Sequence, residues 1–281
     1  MNHNIAIANE TIRITETGKF SIGGITIELC PEDYKSVDVY SPERIKKMMN
    51  DNNAMIPNVA TNTSTCTFKV VNEDSFGAAK KYENPLVMNF ANAQFPGGGF
   101  RLGATAQEEA LCRMSTLYAS ITLEKAKEMY QYNWKHFQPL ASDYMLLSKK
   151  VCVFRDKECR LLLDPYMVSV ITMPAPNKHG AAMFVSQKKI DEVMKMRIRK
   201  MLFIAAHNQY KTLILGAWGC GSFGHNPVKV SGYFKEVLCG ENYSSYFDRV
   251  IFAILGKENG KNITAFRRAF CKNNDGDGQQ E

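Results

Sequence analysis

Two short apolar runs late in the chain, TLILGAW (212–218) and RVIFAILG (249–256), are almost free of polar residues. A strand with one solvated face alternates apolar and polar positions, whereas a strand covered on both faces does not. Runs this short and continuous therefore predict strands in a sheet covered by helices on both sides. The rest of the chain supplies those helices. CTFKVVN and PLVMNF flank a short helix around DSFGAAKKY, and VCVF and YMVSVITM are further strands. SQKKIDEVMKMRIRKMLFIAAHNQY places Ile190, Val193, Met194, Met201, Leu202 and Ala205 at helical spacing, and NITAFRRAF closes the pattern as a helix. The expected fold class is a layered α/β domain with a largely parallel or mixed sheet, and no internal repeat competes with it.

Upstream, residues 1–60 read as an N-terminal extension. IAIANETIRITETGKF has a helical spread of apolar residues, GGITIEL is a strand after a glycine turn, and SPERIKKMM opens a helix with Ser-Pro. DNNAMIPNVATNTSTC is polar and breaker-rich, a connection, and CKNNDGDGQQE is a frayed tail. The expected division is an extension over 1–60, a core domain over 61–270 and a flexible tail over 271–281.

Composition removes several function classes. No apolar run approaches the roughly 18 residues of a membrane span, and the N-terminus lacks a basic region followed by an apolar one. A cytoplasmic location is the expectation. The eight cysteines contain no C-x-x-C pair, and His136, His179, His207 and His225 are isolated, so reduced thiols and no metal site are expected. No G-x-S-x-G or Cys–His signature announces a nucleophile. The net charge of +7 suits an anionic ligand but equally a solvated basic surface.

In open α/β sheets ligands bind beyond the carboxyl ends of the strands, where loops enter helices. Two such loops are rich in glycine. After PLVMNF, Pro96 and Gly97-Gly98-Gly99 let the backbone turn and approach a neighbour closely. After TLILGAW, GAWGCGSFGHNPV carries Gly219, Gly221 and Gly224 in G-x-G-x-x-G spacing, with Asn226 and Pro227 placed to start a helix. Either loop alone is also explained as a tight turn. A dinucleotide-binding dehydrogenase would carry the second motif in its first βαβ unit, with an acidic residue roughly 20 positions on. Here it comes late, without that context. Together the two loops suggest a cleft for a pyrophosphate, a helix N-terminus helping to hold the anion.

Close behind the first loop stand Glu108 and Glu109, at the start of a long helix expected from Gln107 to about Tyr132, with Leu111, Met114, Leu117, Tyr118 and Ile121 on one face. Thr105 to Glu108 forms T-x-x-E, so Glu108 is expected to complete a capping box on the Thr105 amide. Glu109, about 100° further round the helix, has no such explanation. It is either a solvated first-turn glutamate or an acid–base group beside a phosphate-binding loop. Phe223 either pins its loop to the core or stacks on a sugar or base. Asn92 and Asn177 either stabilise turns or recognise hydroxyls.

The run NFANAQFPGGGFRLGATAQEEALCRMSTLY, with ITMPAPN and LILGAWGCGSFGHNP, resembles poly(ADP-ribose) glycohydrolases, and specifically their microbial, single-domain branch. The opening IAIANETIRITETGKF and GGITIEL resembles it too, so the likeness covers nearly the whole chain. The resemblance implies a macrodomain-like three-layer α/β/α fold with a mixed sheet and an N-terminal extension, the core being the catalytic domain. It implies hydrolysis of ribose–ribose O-glycosidic bonds in poly(ADP-ribose), or in ADP-ribosylated proteins, with ADP-ribose as product, by a monomer without cofactor or metal. Glu109 is then catalytic and Glu108 holds the ribose. Asn92 contacts the distal ribose, and Gly97, Gly98, Gly99 and Gln107 lie beside it. Gly219, Gly221, Ser222, Phe223 and Gly224 wrap the diphosphate. The loop departs from many relatives in reading FGHNP, with His225 where they have Phe-Gly-Asn. A hydrolase of single ADP-ribosyl groups, and a macrodomain that only binds ADP-ribose, are the alternatives.

Overall fold

The structure is a computed structural model and describes residues 3–51 and 66–271. The expected connection over 51–66 and the tail over 271–281 lie almost wholly outside the described residues. The chain opens with helix α1 (His3–Thr17), a hairpin of β1 (Lys19–Ile22) and β2 (Ile25–Glu28), the short α2 (Pro31–Tyr34), strand β3 (Asp38–Tyr40) and helix α3 (Pro42–Asp51). Then come β4 (Thr67–Val71), α4 (Ser75–Ala79), β5 (Leu86–Ala91), α5 (Gln107–Met114), α6 (Leu117–Ile121) and α7 (Lys127–His136). β6 (Met145–Arg155), β7 (Leu161–Pro174), α8 (Gln187–His207), β8 (Thr212–Leu215), α9 (Pro227–Lys235), β9 (Arg249–Ala253) and α10 (Lys261–Phe270) complete it.

Seven strands form one sheet in the order β3-β6-β7-β5-β8-β9-β4. Neighbours from β7 to β4 run parallel, while β6 and β3 pair antiparallel. The sheet is mixed, as expected, and the carboxyl ends of its parallel strands emerge along one edge. Successive strand side chains point to opposite faces, so each buried strand feeds two core layers. On β5, Leu86 and Met88 join Met194, Ile198, Phe234 and Phe266 under α8, α9 and α10. Val87 joins Leu111, Leu117 and Met129 under α5, α6 and α7. Asn89 shares the Val87 face, a polar residue aimed at α5.

The single long helix expected from Gln107 is instead divided into α5, α6 and α7. Ser115 breaks it in extended geometry (φ −150°, ψ 179°) and bridges Val153 of β6. The Thr116 amide donates to the Cys152 carbonyl (3.0 Å), and Thr116 Oγ1 accepts from the Cys152 amide (2.9 Å). The cause lies in the sheet: β3 pairs only with Met145–Leu147, and buried backbone groups further along β6 need partners from elsewhere. The apolar spacing persists because Leu111, Leu117 and Ile121 remain in one core despite the break.

The N-terminal segment is tied to the same helix. Thr11 Oγ1 donates to the Arg113 carbonyl (2.9 Å), and Asn4 Nδ2 to that of Gly103 (3.1 Å). β1, unforeseen in the sequence, pairs with β2 above Ile14, Tyr34 and Phe154.

Candidate active site

The sheet opens at its centre. β7 stays paired with β5 through Ala91, but β8 pairs with β5 only at Leu86 and Val87. Beyond Val87 the free edge of β5 is taken by Gln107. Its Oε1 accepts from the Phe90 amide (2.9 Å), and its Nε2 donates to the Met88 carbonyl (2.8 Å) and Ser75 Oγ (3.1 Å). One side chain thus fixes the start of α5 against the split. The opening widens into a cavity of about 330 Å³. Phe90, Leu111, Met114, Ala217 and Trp218 give it apolar walls, Glu73 and Asp74 close one side, and Gly219, Gly221, Ser222 and Phe223 border it.

Past β5 the chain makes an Asx turn, with Asn92 Oδ1 accepting from the amides of Gln94 (2.9 Å) and Phe95 (3.0 Å). Gly97 and Gly98 follow at φ +73° and +55°, a region that favours glycine. Space makes the same demand. A Cβ on Gly98 would lie 2.5 Å from Glu109 Oε1 and 3.2 Å from Glu108 Oε2, and one on Gly97 would meet the Tyr118 ring at 2.8 Å. The glycines therefore admit the carboxylates. Their amides are also spent inside the protein: Gly98 donates to the Phe95 carbonyl (2.9 Å) and Gly99 to Glu109 Oε1 (2.9 Å).

Glu108 and Glu109 are both buried, at 3% and 8% exposure. The expected capping box is absent, because Ala106 occupies the N-cap without a side-chain bond. Glu108 turns inward instead, its Oε2 accepting from the Asn92 amide (2.7 Å) and its Oε1 from Asn89 Nδ2 (3.3 Å). The Asn92 amide lies just past the end of a strand, where the ladder cannot satisfy it, and this demand outweighs the local cap. Burial pushes the Glu108 carboxyl up to about 8, against the opposing pull of the Asn92 amide and Asn89. Glu109 Oε2 is buried with no hydrogen-bond partner. A buried carboxylate oxygen left unpaired is costly in a structural role and common at reactive ones.

The second loop is braced from behind. Gly219 (φ +75°) would clash with the His225 ring if it carried a Cβ (2.8 Å). His225 is buried, which lowers its pKa, and its Nε2 donates to the Pro176 carbonyl oxygen (2.7 Å), a group that can only accept. The residue that departs from many relatives is a strut between two loops. The Phe223 carbonyl accepts from the Lys178 amide (3.1 Å), and the Phe223 ring packs half-buried on the core beneath α8 and α9. Asn226 caps α9, taking the Val228 and Lys229 amides. The expected use of this helix start for an anion is therefore pre-empted. The amides of Gly219, Gly221, Ser222 and Phe223, by contrast, donate to no group among the described residues.

Of the residues singled out in the sequence, Gln107, Gly219, Gly221, Ser222 and Phe223 line the cavity. Glu108, Glu109, Asn92 and Gly97–Gly99 gather beside it as a second group. Gly224 (φ +73°) turns away against the His179 ring. Sequence reasoning missed Asn89, Glu73, Asp74 and Asn262, the last with a buried, unpaired Oδ1 in the cavity wall. Asn89 had a signal: it is the one amide in an otherwise apolar strand. Among the described residues no group of His, Cys, Asp or Glu is arranged to hold a metal, no helix is long and apolar enough to cross a membrane, and no disulfide joins the cysteines.

Comparison with known proteins converges on one family. The profile of the microbial-type PARG catalytic domain matches residues 8–156. The crystal structure of poly(ADP-ribose) glycohydrolase (PARG) from Thermomonospora curvata is 33% identical with a TM-score of 0.86, covering 96% of this chain and 100% of that one. The same enzyme bound to the inhibitor ADP-HPD superposes with a TM-score of 0.85 at 33% identity, over 96% of this chain and 100% of that one. The PARG of Deinococcus radiodurans in complex with ADP-ribose is 33% identical with a TM-score of 0.75, covering 85% of this chain and 95% of that one. No curated protein sequence matches. By profile, fold and extent of similarity, the chain belongs to the microbial-type poly(ADP-ribose) glycohydrolase family.

Proposed function

We propose that this protein hydrolyses the ribose–ribose O-glycosidic bonds of poly(ADP-ribose) and releases ADP-ribose, with Glu109 as the acid–base catalyst. The observation that carries the assignment of Glu109 is its geometry: one oxygen is fixed by the Gly99 amide, while Oε2 is buried without a partner. In the reaction Glu109 gives its proton to the leaving ribose oxygen as the C–O bond breaks. The distal ribose becomes oxocarbenium-like, and water attacks its anomeric carbon. Glu109 then takes the proton released by that water. The cycle restores the enzyme and needs neither metal nor cofactor.

The neighbouring groups support that step. Glu108, which keeps its proton to about 8, adds no negative charge near neutrality to a site that must admit a diphosphate, and its O–H can donate to a ribose hydroxyl. Asn92 has its Oδ1 committed to the turn, which leaves Nδ2 for the distal ribose. Gly97, Gly98 and Gly99 leave room for the carboxylates beside the ribose, and Gln107 holds the cavity wall. The unengaged amides of Gly219, Gly221, Ser222 and Phe223 fit diphosphate oxygens, Gly224 permits the turn, and the Phe223 ring packs on the ligand. The extension over 1–60, the catalytic domain over 61–270, the tail, a cytoplasmic location and action as a monomer belong to the same proposal.

Incubation with poly(ADP-ribose), and separately with a mono-ADP-ribosylated protein, tests the reading. Chromatographic release of ADP-ribose from the polymer is expected. Release only from the mono-modified protein, or binding without release, would overturn it.

A further inference from the structure

Phe95 and Trp134 form an aromatic pair that the fold does not bury. Phe95 is 50% exposed and Trp134 47%, and their rings meet edge to face with centroids 5.3 Å apart. Both are nevertheless rigidly held. Trp134 Nε1 donates to the Gln94 carbonyl (3.1 Å), which orients the indole at the end of α7. The Phe95 amide donates to Asn92 Oδ1 (3.0 Å), and the Phe95 carbonyl accepts from Gly98 (2.9 Å). Phe95 is thus one turn from Gly98, the residue whose Cβ position lies 2.5 Å from Glu109 Oε1. A pre-ordered pair of exposed rings loses little entropy when a flat partner binds.

We infer that Phe95 and Trp134 are a stacking platform for the purine of the leaving unit of the polymer. The inference rests on the glycohydrolase reading. In poly(ADP-ribose) the leaving oxygen belongs to the adenosine ribose of the next unit, and only three covalent bonds separate that oxygen from its adenine. Once the scissile bond is presented to Glu109, that adenine projects outward from the glycine loop. The platform lies beside this loop and lines no part of the cavity that accommodates the released ADP-ribose. It therefore discriminates polymer from product. Adenine fits such a surface because every base offers a π-face to an aromatic ring.

The test uses the full chain, an ADP-ribose trimer as substrate and ADP-ribose as ligand. Phe95→Ala and Trp134→Ala should each raise KM for the trimer by roughly 5- to 150-fold, the range into which base–aromatic stacking of about 1–3 kcal/mol converts. Their kcat, and their Kd for ADP-ribose by calorimetry, should stay within about twofold of the parent. Trp134→Phe keeps a ring without the indole N–H and should retain most of the trimer KM. An unchanged trimer KM in both alanine variants would overturn the inference. So would an equal loss of ADP-ribose affinity, which would make the pair a brace for the glycine loop. A Trp134→Phe variant as impaired as Trp134→Ala, with Phe95→Ala silent, would assign the effect to the Gln94 tether and also overturn it. A parent protein that binds ADP-ribose but leaves the trimer intact would refute the glycohydrolase reading, a result separable from all of these.

Discussion

Replacing Glu108 by glutamine removes a carboxyl group whose proton the fold holds far above the usual carboxylate range. In the unfolded chain this carboxyl ionises near 4.5, whereas in the folded protein burial keeps it neutral to about 8. Between those values the folded state binds a proton that the unfolded state has released, so stability falls as pH rises through the window and levels off above it. At about 1.4 kcal/mol for each tenfold difference in proton affinity, the full cost is on the order of 4–5 kcal/mol, of which about 4 accrues between pH 5 and 8.5. Glutamine mimics the protonated form, keeps an oxygen for the Asn92 amide and does not titrate. Denaturant unfolding of both proteins at pH 5 and 8.5 isolates the effect, since groups that do not interact with Glu108 cancel in the double difference. The variant should gain roughly 4 kcal/mol on the parent across that interval, or about 7 °C in Tm for a chain of 281 residues. Parallel pH profiles would show that Glu108 ionises normally in the folded protein and that burial does not control it.

Gly98→Ala places a methyl carbon 2.5 Å from Glu109 Oε1 at φ +55°, so turnover should fall more than tenfold with a lower Tm; wild-type kinetics would contradict the close packing described. Phe223→Ala should weaken ADP-ribose binding by roughly 1–3 kcal/mol with the fold intact, and unchanged affinity by calorimetry would assign the ring to loop packing. Hydrolysis should persist after exhaustive chelation, because the proposed proton transfers need only carboxyl groups; complete loss, restored by one divalent ion, would refute that.

The fold was legible in the sequence wherever a core residue repeats with a regular period. β5, β8, β9 and α8 follow from their apolar patterns, and the loops at the strand ends mark the site. The failures are non-local. Nothing in STLY foretells that Ser115 and Thr116 leave the helix to satisfy β6. The T-x-x-E pattern at Thr105 is a sound local signal, but the Asn92 amide competes for the same carboxylate and wins. Arg197 reads as one polar residue on an amphipathic helix. It is in fact fully buried, donating to Asp143 (2.8 Å) and to the carbonyls of Leu140 (2.7 Å), Ala141 (2.8 Å) and Pro174 (3.0 Å), and so binds α8 to the connection ahead of β6. The glycine loop was legible as a site, but for a different reason: it opens space for Glu108 and Glu109, and the amides available to a diphosphate lie in the second loop.

In the proposed reaction Glu109 moves the proton and Glu108 does not. Single-turnover hydrolysis of poly(ADP-ribose) by Glu109→Gln and Glu108→Gln, with ADP-ribose affinity measured on each, tests it most directly. Glu109→Gln should lose at least the roughly 10²–10⁴-fold typical of a missing general acid–base group while still binding ADP-ribose. Glu108→Gln should lose less, through weaker positioning of the ribose. A Glu108→Gln enzyme slower than Glu109→Gln, or a Glu109→Gln enzyme near the wild-type rate, would contradict the assignment.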